Sequence, residues 1–95
     1  MREYSMLYVV YIVRCRDMSL YCGVTTNLVR RIAEHNGNSH KAAKYTRSRN
    51  PVCVVYMEMQ KSRNAALKRE WEIKKLPKRK KELLVNAYIE SWNIR

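Results

Sequence analysis

Five side chains in this 95-residue chain could do chemistry together: Tyr11, Tyr21, Arg31, His35 and Glu70. Two phenols, a guanidinium and an imidazole suit a phosphodiester. The guanidinium offers a planar fork of donors to phosphate oxygens, and a phenol or imidazole can move a proton. None of the four is a strong metal site alone, and what they lack is a carboxylate to hold a divalent cation. Glu70 is the candidate, because its helical neighbours are Ala66, Leu67 and Ile73. A carboxylate set into an apolar stripe is costly unless a cation or hydrogen bonds offset it. A bound metal is one such offset and an arginine of the same chain is the other. Glu72 differs: among Lys68, Arg69 and Lys75 it reads as a solvated salt-bridge partner.

These residues need a frame. Apolar runs at 7–13 and 20–24 flank the polar stretch Arg14-Cys15-Arg16-Asp17-Met18-Ser19, the pattern of a hairpin. The first run, a strand over 7–15, is apolar on both faces, which places it in the middle of a small sheet. Cross-strand partners share a face, so Tyr11 and Tyr21 share one only if paired positions add to an even number. That requires a loop of three or five residues; a two-residue turn would part the phenols. A helix over 26–36 follows, capped by Thr25 or Thr26, with Leu28, Val29, Ile32 and Ala33 as its buried stripe. Arg30 pairs with Glu34 at i+4. Arg31, whose i+4 neighbour is His35, is read as having no acidic partner and so as free to meet an anion.

Residues 37–50 are small, polar and basic, a loop with at most one helical turn. Lys41, Lys44, Arg47 and Arg49 suit a phosphate backbone, and Tyr45 among them either stacks a base or pins the loop to the core. Pro51 opens a third strand over 52–57. Ser62 caps a second helix that ends near Leu76, and Pro77 starts a last helix whose Leu84, Val85, Tyr88 and Trp92 face inward. Its basic start, Lys78-Arg79-Lys80-Lys81, is either a solvated helix end or a phosphate-steering patch. The whole is one α+β domain spanning 1–95. A small three-stranded antiparallel sheet is flanked by helices, in the order ββα-β-αα.

With 20 Lys and Arg against 8 Asp and Glu the chain carries +12, and each half carries the same excess. A field of that sign attracts polyanions, nucleic acid above all. Cys15, Cys22 and Cys53 form no C-x-x-C, and His35 and His40 are not placed as zinc partners. Reduced, partly buried thiols in a cytoplasmic protein are the expectation. The apolar run at 6–13 is too short for a membrane span and lacks a leader's basic start and cleavage site.

Taken together, Val9-Val10-Tyr11, Leu20-Tyr21-Cys22-Gly23-Val24-Thr25-Thr26-Asn27-Leu28, Glu34-His35-Asn36 and Lys68-Arg69-Glu70-Trp71-Glu72-Ile73-Lys74 resemble the GIY-YIG nuclease domain. The likeness runs from Tyr8 to about Leu84 and is closest to the small free-standing bacterial branch. Each motif is weak alone, but their order and spacing are specific, including the interval from Gly23 to Arg31. The resemblance implies a metal-dependent endonuclease acting on DNA, directed to structured or damaged sites. It implies Tyr11 as base or proton relay, with Tyr21 positioning the phosphate or sharing that role. Arg31 would offset transition-state charge, and His35 would hold the phosphate or relay a proton. Glu70 would be the ligand of one Mg2+ or Mn2+. Lys74 and Lys78 join the residues at 41–49 as expected nucleic-acid contacts.

Three departures stand out. The first motif reads Val-Val-Tyr and the second Tyr-Cys-Gly, and Lys81 falls where many relatives have an asparagine. No second DNA-binding domain is evident, so specificity would come from DNA structure, a protein partner or very little. The rival readings are a nucleic-acid-binding module whose catalysis is weak or lost, and a structural basic protein of a larger assembly.

Overall fold

The computed structural model describes residues 7–37 and 40–93. Met6 of the first apolar run and Asn38-Ser39 of the basic loop lie outside the described residues. The elements are β1 (Tyr8–Arg14), β2 (Leu20–Thr25), α1 (Leu28–Asn36), α2 (Lys44–Arg47), β3 (Cys53–Gln60), α3 (Arg63–Lys75) and α4 (Lys78–Asn93). The sheet is antiparallel in the order β2-β1-β3. The expected α+β architecture and element order are therefore present, with β1 central.

β1 buries both faces because helices cover both. Val10, Ile12, Cys22 and Tyr56 pack with Ala66, Ile73 and Val85 of α3 and α4. Val9, Tyr11 and Val13 pack on the other side with Val52 and with Leu28 and Ile32 of α1. A bulge between Ile12 and Val13 shifts the β3 register, so Ile12 faces Tyr56 while Val13 faces Val54. Residues 15–19 close the hairpin in five, one of the two odd lengths expected, held by Cys15 N–H to Ser19 O at 2.8 Å and Met18 N–H to Cys15 O at 2.9 Å. Tyr11 thus opposes Gly23 and Val13 opposes Tyr21, which puts both phenols on the α1 side.

Several local expectations change. The cap of α1 is Asn27, whose side chain accepts from Arg30 N–H at 3.0 Å; Thr25 is still in β2 and instead accepts from Asn27 N–H at 3.1 Å. The α1 stripe is also rotated. Leu28, Ile32 and the fully buried His35 face the sheet, while Val29 is 83% exposed and Ala33 is exposed. Residues 28, 32 and 35 lie on one helical line, and the imidazole occupies the position an apolar residue was expected to fill. Trp92 is 59% exposed rather than inward, resting edge-on against Tyr88. All three cysteines are free, but Cys53 is exposed, not partly buried, because it lies on the edge strand β3.

Ser62 caps α3 as expected, accepting from Ala65 N–H at 3.0 Å. The Pro77 carbonyl opens α4, accepting from Lys80 and Lys81 N–H. Two side-chain clamps set helix positions. Asn36 exchanges two hydrogen bonds with the backbone of Val52, at 2.6 and 3.1 Å, fixing the end of α1 to the entry of β3. Arg14 grips Glu82 with both terminal guanidinium nitrogens, Nη1 and Nη2, at 2.9 and 2.8 Å, tying α4 to the end of β1.

The packing predicts a sharp contrast in stability. Ile73→Ala should lower the unfolding free energy by about 2–5 kcal/mol through the cavity it leaves. Val29→Ala should change it by less than about 0.5 kcal/mol. Urea unfolding midpoints would check both, and a large cost at Val29 would contradict the rotated stripe.

Candidate active site

The site begins with Tyr11, which is buried in mid-strand and directs its ring over Gly23, its partner on β2. A Cβ at residue 23 would stand 2.5 Å from the Tyr11 hydroxyl and 2.7 Å from Cζ. Glycine is therefore required there by the phenol that crosses it, the general reason for glycine at a close approach. The hydroxyl so placed reaches His35 Nε2 at 2.8 Å. On the other side of the imidazole, Nδ1 lies 2.7 Å from Thr46 Oγ1, and that hydroxyl lies 3.2 Å from the Ala43 carbonyl.

Burial dominates the proton affinities of this pair. It disfavours the imidazolium, with Arg31 nearby acting in the same direction, and His35 falls from 6.5 to about 4. Burial likewise disfavours the phenolate and lifts Tyr11 to about 12, although the Arg31 guanidinium beside it pulls the other way. At neutral pH the resting pair is thus a neutral phenol and a neutral imidazole sharing one hydrogen bond.

Arg31 is not partnerless, contrary to the expectation from sequence. Its Nη1 is 2.8 Å from Glu34 and 2.7 Å from the Lys41 carbonyl. Glu34 stands at i+3, a helical neighbour as close as i+4, and it also meets Arg30 at 3.7 Å. Burial works against the Arg31 charge, but the bond to Glu34 and the neighbouring Tyr11 more than offset it, so its pKa rises. The guanidinium so held stands beside the Tyr11 hydroxyl, and each acts on the other's proton affinity.

Tyr21 completes this side. Its ring lies edge-on to His35 with centroids 5.5 Å apart and stacks on Tyr45 at 5.8 Å. The Arg49 guanidinium lies 4.0 Å from the Tyr45 centroid and donates to the Tyr45 carbonyl at 2.8 Å and to Asp17 at 3.0 Å. Tyr45 therefore does pin the α2 segment to the core side of the site. Arg47 donates to the carbonyls of His40 and Ala42 at 3.4 Å, while Lys41 and Lys44 are exposed. Lys78 is further away in the fold, donating to the Met18 carbonyl in the hairpin turn at 3.0 Å.

Glu70 comes from the other face of the sheet. It sits on α3 between buried Ala66 and Ile73, but Leu67 is 38% exposed, so the carboxylate stands at the border of the apolar stripe with 20% of its side chain exposed. Its cation is Lys74 at 3.2 Å, one turn on, rather than an arginine. The Lys74 ammonium also lies 5.6 Å from the Tyr21 centroid, so it spans the edge strand β2 between the two sides. Glu72 meets Arg69 at 3.5 Å, as expected of a solvated pair. Cys22 lies in the field of Glu70, Lys74 and Lys81, and burial first, then Glu70, raises its thiol to about 12.

Among the described residues no three His, Cys, Asp or Glu side chains converge as a metal cage. A lone carboxylate still suits magnesium, which keeps several waters and takes other ligands from substrate phosphate. Lys74 was expected as a nucleic-acid contact and Glu34 as the partner of Arg30, but two pairings and one residue escaped the sequence reading. The Arg31–Glu34 pair was detectable from its i+3 spacing and the Glu70–Lys74 pair from its i+4 spacing. Thr46 carries no signal in a basic, polar segment.

The GIY-YIG catalytic domain, compared as a family model, matches residues 7–82. The chain belongs to the GIY-YIG family. Within it, the chain is 55% identical to a UPF0213 protein of Desulfotalea psychrophila over 78 residues, covering 82% of this chain and 70% of that one. It is 51% identical to a UPF0213 protein of Natronomonas pharaonis over 76 residues, covering 80% and 87%. The solution NMR structure of a UPF0213 protein from Bacillus halodurans superimposes with a TM-score of 0.56 at 45% identity, covering 86% of this chain and 85% of that chain. The GIY-YIG domain brings a nuclease-like fold, and its sheet-and-helix frame is the one described above. No helix among the described residues is long and apolar enough to cross a membrane.

Two outcomes test this geometry. Gly23→Ala should push the Tyr11 ring off its seat and cost about 1–3 kcal/mol. In a Tyr11→Ala background the same change should cost much less, the coupling a double-mutant cycle measures. For His35, the depressed folded value means that between about 4 and 6.5 the unfolded chain binds a proton the native state refuses. Stability from this group is therefore complete above 6.5 and falls as the pH drops towards 4. An NMR titration of the His35 ring should show its midpoint near 4, and a midpoint near 6.5 would contradict the buried neutral imidazole.

Proposed function

We propose that this protein is a metal-dependent nuclease that hydrolyses phosphodiester bonds in DNA, at structured or damaged sites. The observation that carries this reading is the buried Tyr11–His35 hydrogen bond with the Arg31 guanidinium beside it. A binding surface needs exposed cations, not a proton path inside the core. Tyr11 takes a proton from the attacking water once His35 Nε2 has received the phenolic proton. Arg31 stabilises the phenolate and the charge gathering on the phosphate. Tyr21, held between His35 and Tyr45, orients the phosphate. His35 acts through Tyr11 and so relays the proton instead of touching the phosphate.

Glu70 would hold Mg2+ or Mn2+, which supplies Lewis-acid stabilisation of the leaving oxygen when bound. Lys74 would then release Glu70 and meet the substrate backbone, joined by Lys41, Lys44, Arg47 and Arg49 on the α2 side. With a charge of +12, binding should weaken steeply with salt.

A second reading is a nucleic-acid-binding module with weak or lost catalysis. It is favoured by the Lys74 ammonium already seated on Glu70 at 3.2 Å and by Lys81 in the family's asparagine position. Cleavage of labelled single strand, duplex, flap and Holliday-junction DNAs in magnesium, manganese or chelator separates the two. Metal-dependent cutting is expected from the wild type. Glu70→Ala should lose it by about 100-fold or more while still binding. Cutting that survives in Glu70→Ala would remove Glu70 from the site, and binding without cutting in every lane would favour the binding module.

A further inference from the structure

Thr46 is fully buried on α2, a four-residue helix whose other members, Lys44, Tyr45 and Arg47, are exposed. Its hydroxyl meets two partners, His35 Nδ1 at 2.7 Å and the Ala43 carbonyl at 3.2 Å. A carbonyl only accepts, so the single hydroxyl hydrogen goes to Ala43 and Nδ1 must donate. The imidazole then carries its proton on Nδ1, leaving Nε2 as the acceptor for Tyr11 O–H at 2.8 Å. Every hydrogen in this chain has an acceptor. The opposite arrangement would send the Thr46 hydrogen to Nδ1 and the Nε2 hydrogen to the Tyr11 oxygen. The phenolic hydrogen would then have no acceptor among the described contacts, in a side chain that is 1% exposed.

We propose that Thr46 is a positioning residue, whose hydroxyl, committed to the Ala43 carbonyl, holds His35 in the Nδ1–H tautomer that can take the Tyr11 proton. The role rests on the nuclease reading above, but the tautomer does not. The step balances within the chain: the Tyr11 O–H bond breaks, a proton joins His35 Nε2, and a phenolate and an imidazolium result. The imidazolium keeps its Nδ1–H on Thr46. In the other tautomer Nε2 already bears hydrogen, and the transfer has no destination. Outer hydrogen bonds that fix a histidine tautomer in this way orient the ring as well as its proton.

The test is the nitrogen NMR of the two histidines in the intact protein, with wild type, Thr46→Ser and Thr46→Val compared. Wild type and Thr46→Ser should show His35 protonated on Nδ1 with a bare Nε2. Thr46→Val removes the acceptor without changing the shape much, and His35 should move to the Nε2–H form or a mixture. On whichever DNA the wild type cuts, Thr46→Val should lower kcat by about 10–100-fold with KM unchanged, and Thr46→Ser should restore it. A wild-type His35 protonated on Nε2, or a Thr46→Val protein that keeps the Nδ1–H form, would overturn the proposal. Should Thr46→Val not fold, the wild-type and Thr46→Ser spectra still decide it. Correct tautomers in a protein that cuts no DNA would sink the nuclease reading and leave the tautomer assignment standing.

Discussion

Tyr11 lies across Gly23, and most of the site follows from that contact. A side chain in the central strand of a three-stranded sheet would ordinarily stand between its neighbours and end in the core. Because residue 23 has no Cβ, the Tyr11 ring leans over β2 instead and delivers its hydroxyl to the imidazole of α1. The imidazole in turn must be buried and neutral to fit, which is why α1 turns His35 inward and leaves Val29 in water. Thr46 then has to come inside as well, since a buried ring nitrogen needs a partner. One missing methyl group thus dictates the identity of a helix residue and of a loop residue far from it in sequence.

The sheet divides the chemistry in two. Phenols, imidazole and guanidinium stand on the α1 side, and the carboxylate stands on the α3 side. They meet around the β2 edge, where Lys74 lies against both Glu70 and the ring of Tyr21. Several cations near this edge are already engaged, Arg31 with Glu34, Arg49 with Asp17 and Lys74 with Glu70. The Arg49–Asp17 pair, the most open of these to solvent, contributes little to stability. The value of all three lies in orientation, each carboxylate fixing where its cation points.

The frame was legible in the sequence where one physical rule acted alone. Runs of β-branched and apolar residues gave the three strands, Ser62 marked its helix, and the parity of the hairpin put Tyr11 and Tyr21 on one side. Reading failed where two rules competed. Val29 and Ala33 looked like core by hydropathy, but Asn27 out-competed Thr25 as a cap and the packing of His35 chose a different face. Arg31 has His35 rather than an acid at i+4, but Glu34 at i+3 is equally near on the helix surface and takes its charge. Glu70 was noticed for its apolar neighbours, yet its ion pair with Lys74 and its place across the sheet from the phenols are matters of tertiary geometry. Thr46 could not be found at all, because its importance lies in a contact eleven positions away.

The five-residue turn at 15–19 constrains how this hairpin can vary. Side chains alternate across a strand, so adding or losing one residue there turns β2 over relative to β1. Tyr21 and Gly23 would then exchange sides with Cys22, and the Tyr11 ring would face a side chain where it now has space. Two residues can be gained or lost together without that reversal. Natural length changes in this turn should therefore come in even steps, and they must keep Asp17 within reach of Arg49, which holds Tyr45 beside the site.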